Sequence, residues 1–164
     1  MQKMFAVLAI GTAVALAGCG KKDEKTVYSD AGGNTITQSK SGDHMTVTGQ
    51  NGEKMEFGTG AGAASKLPAF APLYPGATVT SSFSGAGKDG SGGSLAFHTT
   101  AAPADVIAFY KDKTAGGGLK QTMNADMNGT MMFAAQNDDS KTQVSVTATK
   151  GADGTEAQIT WSSK

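Results

Sequence analysis

The sequence predicts an α+β fold in which one helix packs on a mainly antiparallel sheet, in the order β-β-α-β-β-β-β, preceded by a small β meander. Three observations lead there. Apolar residues alternate with polar ones through most of the second half of the chain, the period of a strand with one buried face. One stretch, Val106 to Tyr110, instead clusters its apolar residues as a helix would. Glycine, at 23 residues, is abundant and falls between the alternating runs, where hairpins turn.

The meander is expected over residues 26–57. Its short strands carry Val27, Ile36, Val47 and Phe57, and its turns are Ala31-Gly32-Gly33-Asn34, Ser41-Gly42-Asp43 and Gln50-Asn51-Gly52-Glu53. Asn51-Gly52 is a hairpin signal because both residues tolerate positive φ. A sheet with so few large apolar residues is marginal alone, so it is expected to lean on the next domain or on a partner. Residues 58–66 read as a Gly/Ala linker. Gly58, Gly60 and Gly62 lack the spacing of a phosphate-binding loop, and Pro68 soon interrupts any helix after them.

Residues 67–164 form the predicted α+β domain and hold eight of the eleven aromatics. Tyr74-Pro75-Gly76-Ala77 is a rigid entry turn, with proline fixing φ and glycine permitting the bend. Val79 and Phe83 are expected on the core side of one strand, and Leu95 and Phe97 on that of the next. Pro103 and Asp105 suit a helix start, because proline has no N–H to leave unsatisfied and the acid complements the dipole. Val106, Ile107, Phe109 and Tyr110 make the apolar stripe, and Gly116-Gly117-Gly118 ends the helix. Four strands follow: Leu119 to Met123, then three in which Met131/Phe133/Ala135, Val144/Val146/Ala148 and Ala157/Ile159/Trp161 alternate. The opposite face, with Thr78, Thr80, Ser82, Ala96, His98, Thr130, Ala134, Gln143, Ser145, Thr147, Gln158 and Thr160, is small and polar. It is expected to meet water, a polysaccharide or an envelope protein partner.

At the other end, Met1 to Gly18 has one early lysine, Lys3, then an apolar run too short for a bilayer-spanning helix. It closes on Leu16-Ala17-Gly18-Cys19, which holds the chain's single cysteine. This quartet resembles the lipobox of bacterial lipoproteins. The resemblance implies a signal peptide over residues 1–18, cleavage between Gly18 and Cys19, and acylation of Cys19. It also implies a charged tether over residues 19–25 that holds the protein to a membrane. The thiol fits that chemistry, since a thiolate is the strongest nucleophile among ordinary side chains at neutral pH. Gly20 rather than aspartate after the cysteine implies, by the same resemblance, the periplasmic face of the outer membrane in a two-membrane cell. Tyr74-Pro75-Gly76-Ala77, Phe109-Tyr110 and the Gly-bounded strands after them are similar to a domain of unknown function in small bacterial lipoproteins. That resemblance covers Leu67 to Trp161 and implies no catalytic residues.

Composition narrows the function further. Fourteen basic residues, all lysine, balance fourteen acids without a concentrated basic patch, which excludes a nucleic-acid binder. Gly90-Ser91-Gly92-Gly93-Ser94 falls in a hairpin and not at the strand-to-helix elbow of a hydrolase. Asp138-Asp139 sits in a turn, where adjacent acids are solvated. No catalytic residue and no cofactor is therefore expected, and no metal. The alternative to a lipid-anchored binding or structural protein is a copper protein using His98 with Met132, since imidazole and thioether suit copper(I). His44 lies next to Met45 in the weak meander, and most of Met123, Met127, Met131 and Met132 are read as gap-filling or edge residues.

Overall fold

A computed structural model of the chain describes residues 26–60, 62–63 and 67–164. The predicted signal peptide, Cys19 with its tether, and positions 61 and 64–66 of the predicted linker lie outside the described residues.

Four short strands open the described chain: β1 (Thr26–Ser29), β2 (Thr35–Gln38), β3 (His44–Thr48) and β4 (Lys54–Gly58). Two long strands, β5 (Thr78–Gly87) and β6 (Gly90–Thr99), lead into helix α1 (Pro103–Gly116). Then come β7 (Lys120–Met127), β8 (Thr130–Gln136), β9 (Thr142–Lys150) and β10 (Thr155–Ser163). The mainly antiparallel sheet with one helix is thus present. Its organisation differs from the expected one, because β4 pairs directly with β5 and the meander is continuous with the domain sheet. The ten strands form one sheet in the order β1-β2-β3-β4-β5-β6-β10-β9-β8-β7, antiparallel throughout. The helix carries the chain from β6 to the far edge, and β7 to β10 meander back until β10 closes on β6.

The core lies between the sheet and α1, which crosses β7, β8 and β9. Leu95, Phe97, Phe133, Val144, Val146, Ile159 and Trp161 rise from the strands to meet Val106, Ile107 and Tyr110 from the helix. Each such large side chain, fully buried, contributes roughly 1.5–3 kcal/mol. The segment from Leu67 to Ala77 straps the same layer shut, burying Ala71 and packing Phe70, Leu73 and Tyr74 against the core. Its last turn is type II: Ala77 N donates to Tyr74 O at 3.1 Å, and Gly76 takes φ +74° at the position that requires a positive angle. The helix ends in a Schellman arrangement, with Leu119 N bonded to Thr114 O at 2.9 Å and Gly118 at φ +78°.

One strand departs from simple alternation. Val79 and Phe83 are four apart and were expected on one face, yet Val79 is buried while Phe83 is 41% exposed. The pairing of β5 with β6 slips between Val79 and Ser81, so Val79 lies opposite Phe97 but Phe83 lies opposite Ser94. A bulge adds one residue, and with a side-chain period of two, one residue inverts everything after it. Ser82, expected on the polar face, accordingly sits on the helix side opposite Leu95.

The inversion propagates through the meander. Phe83 pairs with Phe57, and Phe57 with Met45; one step along, Met55, Val47, Ile36 and Tyr28 form a second cross-strand row on the same face. The apolar face of β1 to β5 therefore points away from α1, whereas the apolar face of β6 to β10 points toward it. The helix-side positions of the meander are mostly polar instead, with Thr35, Thr37, Thr46, Thr48, Lys54 and Glu56, and Val27 is the exception, lying opposite Thr37 and 58% exposed.

Candidate functional site

The surface away from α1 divides into two halves. On β6, β10, β9 and β8 it is a hydrogen-bonding lawn: Ser94, Thr160, Ser145 and Ala134 form one row, and Ala96, Gln158, Thr147 and Met132 the next. Cross-strand bonds already order part of it, since Gln158 Nε2 donates to Ser94 Oγ at 2.9 Å and the Thr130 and Thr149 hydroxyls lie 3.2 Å apart. A recess of about 180 Å³ opens beside Ala134, Gln143, Ser145 and Thr160, where small side chains let the sheet surface dip. A second recess of about 280 Å³ lies at the β5–β6 hairpin and the chain end, lined by Glu53, Lys88, Asp89 and Lys164 among others. Both fall below the roughly 300–1,000 Å³ of enclosed small-molecule pockets. What they offer is contact by exposed hydroxyls, amides and charges.

The interior offers no reactive chemistry among the described residues. Tyr110 is fully buried, its hydroxyl donating to Pro72 O at 2.9 Å, and burial pushes its phenol far above the ordinary tyrosine range. It stays a neutral donor. Thr114 Oγ1 donates to Tyr110 O at 2.7 Å and Thr155 Oγ1 to Ala101 O at 2.6 Å, so both buried hydroxyls are spent on backbone. Among the described residues no buried side-chain polar atom lacks a partner.

His98 and Met132 share the face away from the helix but do not meet. His98 is on β6 and Met132 on β8, with β10 and β9 between them, and three strand spacings separate them by about 14 Å. They also occupy different rows, His98 opposite Glu156 and Met132 opposite Thr147. One ion cannot bind both, so the strand order rules out the alternative of a copper site built on this pair. Among the described residues there is no group of three or more His, Cys, Asp and Glu side chains placed to hold a metal. His44 and Met45 point to opposite faces of β3, and the His44 ring lies 3.4 Å from Thr46 Oγ1. Asp138 and Asp139 part company as well: Asp138 pairs with Lys120 at 2.7 Å and Asp139 with Lys141 at 3.0 Å. Hydrogen bonds from Lys141 hold the Asp139 carboxyl below the usual range, and its side chain is half exposed. Ser91 lies on β6 at the hairpin, as its glycine neighbours foretold.

The two motifs behind the resemblance to a small lipoprotein domain do come together. The Tyr74 ring meets Phe109 edge-on with centroids 5.1 Å apart, Phe109 meets Tyr110 at 5.0 Å, and the Tyr110 hydroxyl reaches the strap at Pro72. Lys113 Nζ stands 5.4 Å from the Phe109 centroid. The cluster clamps strap to helix as a structural joint. Sequence reasoning found both motifs but not their contact, which depends on the crossover of α1. The exposed apolar rows of the meander were missed altogether.

Among the described residues, one helix laid on an antiparallel sheet defines a helix-on-sheet domain. Residues 79–163 match the family model described as START domain-like, and the chain belongs to that family. No curated protein and no solved structure matches the chain.

Proposed function

We propose that the protein is a lipid-anchored cell-envelope binding module without catalytic activity. The observation that carries this reading is the combination in one chain of Leu16-Ala17-Gly18-Cys19, a short charged tether, and a START domain-like fold. The lipobox supplies the address. Acylation of Cys19 after cleavage at Gly18 gives the membrane attachment, and two or more acyl chains hold firmly where one binds only marginally. The family membership supports binding over catalysis. The hydroxyl and amide lawn around Ser94, Ser145, Thr147, Gln158 and Thr160 is the surface for a polysaccharide or an envelope protein partner. A flat face of this kind gains affinity by many weak hydrogen bonds spread over area.

Metabolic labelling with an alkyne fatty acid tests the anchor. The wild-type chain should take up label and partition into detergent, and Cys19→Ala should do neither. Equal labelling of the two proteins refutes the anchor.

A further inference from the structure

The meander presents an exposed apolar face. Tyr28 is 59% exposed, Ile36 39%, Met55 45%, Phe57 38% and Phe83 41%, and the strand register puts all five on the side away from α1. Phe57 and Phe83 touch, with ring centroids 5.2 Å apart. At ~200 Å² for a complete side chain of this size, the five present on the order of 500 Å² of contiguous apolar surface. That lies within the roughly 300–600 Å² of the largest patch on a typical monomeric soluble protein, and such patches often mark binding surfaces.

Size and position choose the occupant. A stable protein interface buries about 800 Å² per partner, more than this patch supplies, so a second copy of the chain is a poor fit. The segment ahead of β1 cannot cover it after cleavage, because Lys21-Lys22-Asp23-Glu24-Lys25 is charged at every position. A bilayer makes no demand for shape complementarity, and it is close by. β1 begins at Thr26, and the tether from Cys19 extends at most ~3.3–3.6 Å per residue. Tyr28, the first residue of the patch, is therefore held within about 30 Å of an acylated Cys19. Tyr28 also suits the headgroup boundary, where amphipathic rings collect, and Phe57 and Phe83 suit the acyl side of it.

We propose that this face of β1 to β5 lies on the membrane surface, so that the meander is a platform that seats the protein against the lipid beside its anchor. The proposal rests on the anchored reading above but concerns a different surface and fails separately. With Tyr28, Met55, Phe57 and Phe83 against the headgroups, β1 to β5 lie along the bilayer, and a twist of roughly 20° per strand turns the lawn of β6 to β10 out of that plane. α1 and its strap, on the other side of the sheet, then face the aqueous compartment.

The test uses the full chain matured in its own membrane and reconstituted in vesicles of phosphatidylethanolamine and phosphatidylglycerol. Met55→Cys and Lys54→Cys place a fluorophore at neighbouring positions of β4 that point to opposite faces. Both positions are exposed, so labelling leaves the core intact, and circular dichroism of each variant checks the fold. An apolar face seated roughly 5–10 Å into the boundary predicts about threefold or greater quenching of the Met55 label by nitroxide lipids, relative to the Lys54 label. Equal quenching with the protein still floating on vesicles overturns the platform and leaves the anchor standing. Protein that does not float overturns both. Floating, unacylated protein with a selectively quenched Met55 label upholds the platform and removes the anchor. A Met55 label shielded from lipid nitroxides but coupled between copies means self-association and overturns the proposal.

Discussion

Gly93 has no room for a side chain. A β-carbon there would sit 2.5 Å from the Phe83 carbonyl oxygen and 2.6 Å from Cζ2 of Trp161, whose indole lies across the glycine. Gly93→Ala is expected to cost about 1–3 kcal/mol by overpacking, read as a lower urea midpoint with unchanged slope. Tyr110 makes a second prediction. Tyr110→Phe removes the bond to Pro72 O and should cost about 1 kcal/mol at neutral pH. The phenol's folded-state pKa is raised, chiefly by burial, so its contribution is complete below the unfolded value of about 10 and is lost as pH climbs above it. The stability gap between wild type and Tyr110→Phe should therefore narrow from pH 8 to pH 11, and a gap that stays constant contradicts the burial argument. Neither role could be read in the sequence. Gly93 looked like one more turn glycine and Tyr110 like one more stripe residue, because close approach and solvation belong to tertiary packing.

At the scale of the element, the helix start is the place to gain stability. Ala102 has the extended backbone of an N-cap, φ −70° and ψ 152°, but no side chain able to accept a bond from the first turn. Ala102→Ser should raise stability by roughly 0.5–2 kcal/mol, since the exposed position already has the geometry and lacks only the acceptor. A thermal midpoint no higher than that of wild type counts against it. Helix and hairpins were legible because their signals are local. Pro103, Asp105 and the closing glycines bracket α1, and Asn128-Gly129 turns with both φ positive, at 51° and 87°. The bulge after Val79 was not legible. Thr78 to Ser82 is a run of small polar residues around one valine, so alternation there carries no phase, and a slip of one residue leaves no mark until Phe83 is found on the wrong side. The same slip hid the apolar platform, and it moved Ser82 off the polar lawn.

At the scale of the whole molecule, the sheet carries its apolar surface on opposite faces of its two halves. The β6 to β10 half is stabilised by α1 and the strap, whereas β1 to β3 lie at the far end of the strand order and depend on their own ladder and on the seam between β4 and β5. The pairing across that seam was beyond sequence reasoning because it spans the region from Gly58 to Thr78, through which no periodicity runs. The copper pair failed for a related reason: alternation assigns a residue to a face but not to a position across the sheet. The unequal halves lead to a prediction about local stability. Opening the meander exposes side chains that are already half exposed, while opening β6, β9 or β10 exposes Phe97, Val146 and Ile159, each fully buried. Local opening free energies follow the apolar surface that an opening uncovers, so the two halves should unfold as units of different stability. In native-state hydrogen exchange without lipid, amides of β2 and β3 should exchange at least tenfold faster than those of β9 and β10, with β4 intermediate because it is paired to β5. If instead the whole ten-stranded sheet exchanges at one rate, the seam transmits the stability of the core, and the meander is no weaker than the domain it extends.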